Sequence, residues 1–74
     1  GLWRVRVGPY PDRAAAQAAA RELQGAGFET QVVPAPGGGP PYQVQLGAFR
    51  SRERAEALAE RVRQRAYPVQ VTGP

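Results

Sequence analysis

The 74-residue chain contains no cysteine, histidine, lysine, methionine, isoleucine or asparagine. Without cysteine it has neither disulfides nor thiolate metal sites. Without histidine and lysine it lacks the commonest general base, the commonest nitrogen ligand for metals and the amine of Schiff-base chemistry. A catalytic domain is therefore not expected, and neither is a cofactor or a metal. No apolar run approaches the ~20 residues of a membrane helix. No signal-peptide pattern is present. The chain does not begin with Met, so it reads as one domain of a longer protein.

What it does contain is mostly Ala, Gly, Pro and Arg. All ten positive charges are Arg, set against six acids, for a net charge of +4. Isoleucine, asparagine and lysine are amino acids of AT-rich codons, so this usage fits a GC-rich bacterial genome. Part of the basicity is then compositional habit, not the mark of a nucleic-acid partner. The length allows a single small domain. Such a domain buries only about 60% of the surface its unfolded chain exposes, so its core is thin.

The chain repeats itself. Shifted by 39 positions, Leu2–Tyr10 (LWRVRVGPY) lies over Pro41–Phe49 (PYQVQLGAF). The register continues without a gap: Arg13 over Arg52, Ala16 over Ala55, Ala20 over Ala59, Leu23 over Val62, Phe28 over Tyr67 and Val32 over Val71. Half-repeats 2–33 and 41–72 are joined by PAPGGGPP at 34–41, which suits neither a helix nor a strand interior.

Each half reads strand, helix, strand. Trp3, Val5 and Val7 alternate with Arg4 and Arg6, and Gly8-Pro9 marks the end of that strand. Asp12 is a good N-cap. Ala16, Ala19, Ala20 and Leu23 form one apolar helical stripe. Gly25 or Gly27 supplies the left-handed stop, and Phe28–Val33 returns as a strand. In the second half Tyr42, Val44 and Leu46 alternate with Gln43 and Gln45. Ser51 is the N-cap, the stripe is Ala55, Leu58, Ala59 and Val62, and Tyr67–Thr72 is the last strand. Here Ala66 stands where the stop glycine belongs. The expected fold is α+β, a βαββαβ chain of the ferredoxin-like or RNP-like type. Its four-stranded antiparallel sheet carries two helices on one face.

The other sheet face then meets solvent or a ligand. Parity assigns it Arg4, Arg6, Gln31, Gln43, Gln45 and Gln70, with Glu29 at the margin. Amides and guanidiniums in fixed orientation suit hydroxyl- and acetamide-bearing sugars, and they also suit phosphates. Glu56 and Glu60 lie one helix turn apart, but a solvated helix face explains them better than a glycosidase carboxylate pair, which must flank a cleft. Gly8 and Gly47 lack the surroundings of a phosphate loop.

Tyr42–Phe49 (YQVQLGAF) followed by Arg50–Ala59 (RSRERAEALA) resembles the VQxGxF-then-helix signature of the SPOR domain. Trp3–Tyr10 (WRVRVGPY) is similar to that family's GPF half, and the two together span the chain. The family orders these halves the other way round. The resemblance implies a non-catalytic module of the bacterial envelope that binds peptidoglycan glycan strands lacking stem peptides through the open sheet face. It also implies an extracytoplasmic location and a role in targeting a larger division or wall protein, in some cases a hydrolase. The family's motif glutamine falls on Gln45 and its strand-opening arginine on Arg4. Ala48 stands where a hydroxyl is often found. Trp3 precedes that arginine as a candidate for stacking on a sugar, although its parity with Val5 places it toward the core.

The alternative is an RNA-recognition-type module, which shares the element order. Such sheets stack bases on outward aromatics, and here the outward positions carry Arg and Gln, so nucleic acid is not the expected partner. A monomer is expected.

Overall fold

The first strand, β1 (Trp3–Tyr10), leads into helix α1 (Arg13–Gly25) and strand β2 (Gln31–Pro34). Then β3 (Tyr42–Phe49), α2 (Arg52–Arg63) and β4 (Val69–Thr72) repeat the pattern. The computed structural model describes all of residues 1–74. The strands form one antiparallel sheet in the order β2-β3-β1-β4, with the two longest at its centre. Both helices lie on the same face, as the single stripe on each requires.

Val5, Val7, Val44 and Leu46 point from the sheet into the core, where they meet Ala16, Ala19, Ala20 and Leu23 of α1 and Ala55, Ala59 and Val62 of α2. The alanine-rich stripes bring the helix axes close to the sheet, and no polar side chain is buried among them. Each helix opens on the expected cap. An Asp12 carboxylate oxygen accepts from Ala15 N at 2.8 Å, and Ser51 Oγ accepts from Arg54 N at 3.2 Å. Each cap satisfies one of the amides that the first helical turn leaves free.

The two halves are related by a pseudo-two-fold axis. It passes between Arg6 and Gln45, which face each other across β1 and β3 and occupy equivalent places in the repeat. The same operation exchanges the Trp3–Phe49 and Tyr42–Tyr10 pairs at the two ends of that ladder. It also relates the Arg6–Gln70 pair to the Gln45–Gln31 pair on the outer strands. Gly1 and Pro74 lie against each other. With the ends together and a linker on the opposite connection, the two halves can build one sheet in either chain order.

Three local expectations differ from the structure. Strand β1 does not stop at Gly8-Pro9. A bulge there, with Gly8 at φ +122°, absorbs one extra residue, and pairing resumes at Tyr10. A second bulge lies in β3, where Leu46 is the extra residue between the Arg6–Gln45 and Val5–Gly47 pairs. The returning strands start later than the repeat pattern indicates, at Gln31 and Val69 rather than Phe28 and Tyr67. Phe28 is instead drawn into the core directly after the helix stop, with its amide donating to Leu23 O at 3.0 Å.

That stop is Gly27, at φ +97°, and its counterpart Ala66 takes the left-handed conformation at φ +65°. A non-glycine residue there costs roughly 1–2 kcal/mol. Ala66→Gly is therefore expected to stabilise the domain by about 1 kcal/mol after the added freedom of the unfolded chain is deducted. Thermal melts should show the midpoint rising by ~4–8 °C. A falling midpoint would mean that Ala66 is held by contacts its backbone angle does not reveal.

Candidate functional site

The helix-free face is set by the alternation that fills the core. With Val5 and Val7 turned inward, Arg4 and Arg6 of β1 emerge on the other side. With Val44 and Leu46 inward, Gln43 and Gln45 of β3 emerge beside them. Gln31 and Gln70 flank this centre from β2 and β4, opposite Gln45 and Arg6 respectively. Six of the seven candidate residues thus come together on one surface. Trp3 does not join them. It packs against the Val5, Ala55 and Ala59 cluster on the helix side, with the Arg52 guanidinium 5.3 Å from its ring centre.

The platform is held by hydrogen bonds that its residue types allow but the sequence alone does not reveal. Arg6 Nε donates to Gln45 Oε1 at 3.0 Å, on the pseudo-two-fold axis. Gln43 Nε2 donates to Gln70 Oε1 at 3.2 Å. Gln70 Nε2 in turn donates to Gly8 O at 2.9 Å and Pro68 O at 3.2 Å. Gln43 Oε1 is buried with no hydrogen-bond partner. Planar groups tied in this way lose less freedom on meeting a ligand than free side chains do. Arg4 stands exposed at the end of the row, opposite the exposed Ala48, whose small side chain leaves the surface beside the guanidinium low.

No aromatic ring shares this face. All six aromatic side chains pack against the two helix-side clusters. Most are gripped by a residue of the other half. Arg13 of α1 sits over Tyr42 at 5.5 Å, just as Arg52 of α2 sits over Trp3. Arg61 of α2 covers Phe28 at 5.0 Å, and Glu22 of α1 accepts a hydrogen bond from the Tyr67 hydroxyl at the equivalent place. These contacts interlock the halves, and the repeat register could have located them from the pairing of Arg13 with Arg52 and of Phe28 with Tyr67. The bond to Glu22, with a smaller contribution from burial, pushes the Tyr67 phenol up to about 12. A raised phenol favours the protonated form, so this contact contributes fully below pH ~10 and is lost as the pH climbs toward 12. Tyr10 is also raised, by burial first and by the Glu22 charge second.

Glu60 and Arg63 form an ion pair of 2.9 Å on the exposed face of α2, far from the platform. Glu56 and Glu60 line no cleft. No group of three or more Asp or Glu side chains gathers anywhere in the chain, and no helix is long and apolar enough to cross a membrane.

The family model described as SPOR domain matches residues 1–34 and 38–74, one match on each half of the repeat. Among solved structures, the chain is similar to the solution structure of the peptidoglycan binding domain of the B. subtilis cell wall lytic enzyme CwlC. The two share 30% sequence identity at a TM-score of 0.78, over 97% of this chain and 87% of that one. No curated protein matches the chain.

Proposed function

The chain belongs to the SPOR domain family, and from that premise we propose that it is a non-catalytic module binding the glycan strands of peptidoglycan through its helix-free sheet face. The observation that carries this reading is the two bonded pairs on that face, Arg6 with Gln45 and Gln43 with Gln70, with Arg4 beside them. The similar peptidoglycan binding domain of CwlC has the same fold at 30% identity. Amides donate and accept at once, which matches the hydroxyl and acetamide groups of an amino-sugar chain. Guanidiniums match carboxylates. Removal of the stem peptide leaves a free carboxylate on every muramic sugar. A strand without stem peptides therefore offers the platform a regular row of anions and no bulky branches, so it is the preferred form.

A single shallow face binds on the order of micromolar, and repeated sites along one strand add avidity. Such a module delivers a larger protein to the septum or to a wall substrate, outside the cytoplasm, and it works as a monomer. The absence of outward aromatic rings speaks against base stacking and so against RNA as the ligand.

Retention on purified sacculi tests the reading. The chain should be retained at moderate salt, and more of it after an amidase has removed the stem peptides. Multi-phosphate binding would instead fall by roughly 10³–10⁵ between 50 and 200 mM salt. Retention that disappears over that range, or that does not rise after amidase treatment, counts against it.

A further inference from the structure

The pseudo-two-fold axis relates Gln70 to Gln31, Pro68 to Glu29 and Gly8 to Gly47. At the β4 end the strands are sealed. Gly8 N donates to Pro68 O at 3.1 Å, and Gln70 Nε2 closes over both carbonyls. At the β2 end none of these three bonds has a counterpart. Gly47 N does not donate to Glu29 O, and Gln31 makes no side-chain hydrogen bond. The strands instead open into a fork of about 210 Å³ lined by Glu29, Thr30, Gln31, Gln45, Leu46 and Gly47.

The fork is continuous with the platform, because Gln31 and Gln45 belong to both. Most of its side-chain polar groups are uncommitted. Thr30 Oγ1 is buried with no partner in the chain. Gln45 gives its oxygen to Arg6 and keeps its amide nitrogen free. Glu29 brings the only charge, and a carboxylate can only accept. The volume falls below the ~300–1,000 Å³ of pockets that enclose drug-sized ligands. It lies open at the margin of the platform, so it can receive a group that projects sideways from a saccharide lying across Gln31 and Gln45.

We propose that this fork is a subsite for one neutral, donor-bearing substituent of the bound saccharide, a hydroxyl or an N-acetyl amide, with Glu29 as the specificity-determining residue. The proposal rests on the glycan reading above and adds to it a direction. A platform with true two-fold symmetry would accept a strand equally well in either sense, whereas a glycan has distinct ends. Sealing one end of the platform and opening the other selects a single sense. Glu29 repels an anion at the fork, while Arg4 across β3 attracts one, so the carboxylate and the neutral donors of the ligand are sorted to different flanks of Gly47 and Ala48.

The test is an amide NMR titration of the full chain with soluble, peptide-free glycan fragments released from amidase-treated sacculi. Amides of Glu29, Thr30, Gln31 and Gly47 should shift together with those of Arg6 and Gln45, while Gly8 and Val69 at the sealed end stay still. Glu29→Ala should weaken binding about tenfold, and Glu29→Gln, which keeps an acceptor, should stay within about threefold of the native chain. Glu29 is exposed, and an unchanged spread of amide shifts in the free variants confirms that they fold. Shifts at Arg6 and Gln45 with a silent fork, and native affinity for Glu29→Ala, would overturn the subsite and leave the glycan reading standing. No shift at any residue would overturn both.

Discussion

Leu23→Ala is expected to lower the melting midpoint by roughly 12–24 °C, a large single-site loss of stability for so small a domain. Helix α1 has only one large apolar side chain. Ala16, Ala19 and Ala20 complete its buried stripe but bring little area each, so most of the hold of α1 on the sheet rests on Leu23, which is fully buried. Truncating such a leucine costs about 3 kcal/mol, from the lost transfer energy and from the cavity left behind. A chain of this length has about 4–11 kcal/mol in total. The variant therefore keeps only about 1–8 kcal/mol. Circular dichroism melts and urea titrations measure the change. A drop of less than a few degrees would show that the helix is held chiefly by its interlocking surface contacts, Arg13 on Tyr42 and Glu22 on Tyr67, and not by this stripe.

The sequence reveals the parts of the fold that depend on period. Alternation in Trp3–Val7 and Tyr42–Leu46 marks the central strands and their inward faces. The spacing of Ala16, Ala19, Ala20 and Leu23 marks the buried side of α1. The 39-residue register also shows where Ala66 must take a glycine's backbone, and its φ is +65°. Alternation is less informative wherever a bulge intervenes. The extra residue in β3 puts Leu46 and Gly47 on the same side, where a side chain at Gly47 would meet Phe49 and Leu58. Parity counted through that point would misplace everything beyond it. Phe49 nevertheless packs inward opposite Trp3, because the bulge and the alternation together restore it to the core.

The candidate site is legible in the sequence as a set of residues but not as a network. Counting by twos brings Arg4, Arg6, Gln31, Gln43, Gln45 and Gln70 to one face. It cannot show that Gln43 reaches across β1 to Gln70, because Gln43 faces the bulge in β1 between Val7 and Tyr10, which alternation does not register. Nor can it show the fork. The repeat pairs Glu29 with Pro68, but only the hydrogen bonds reveal that one end is sealed and the other open. Trp3 is the opposite case. The resemblance makes it a candidate stacking group, its parity places it toward the core, and in the structure it lies on the helix side.

The double change Arg4→Ala with Gln45→Ala is expected to reduce affinity for peptide-free glycan by about a hundredfold. Each lost hydrogen bond to or from a charged or anchored group costs about 1.5 kcal/mol, and two such losses multiply when they are independent. They are not fully independent here. Gln45 holds Arg6 in place through the 3.0 Å bond, so its removal frees a third group on the platform and lowers affinity further. Neither residue is buried, so the fold should survive, with the midpoint lowered by no more than ~4–8 °C for the lost Arg6–Gln45 bond. Arg63→Ala makes the control. It removes one positive charge, as Arg4→Ala does, but from an exposed ion pair on α2 worth at most ~1 kcal/mol. Calorimetric titration with the fragments should leave that variant at native affinity. If both variants lose affinity equally, binding follows net charge rather than the amide and guanidinium face. If neither loses any, the ligand sits elsewhere on the domain.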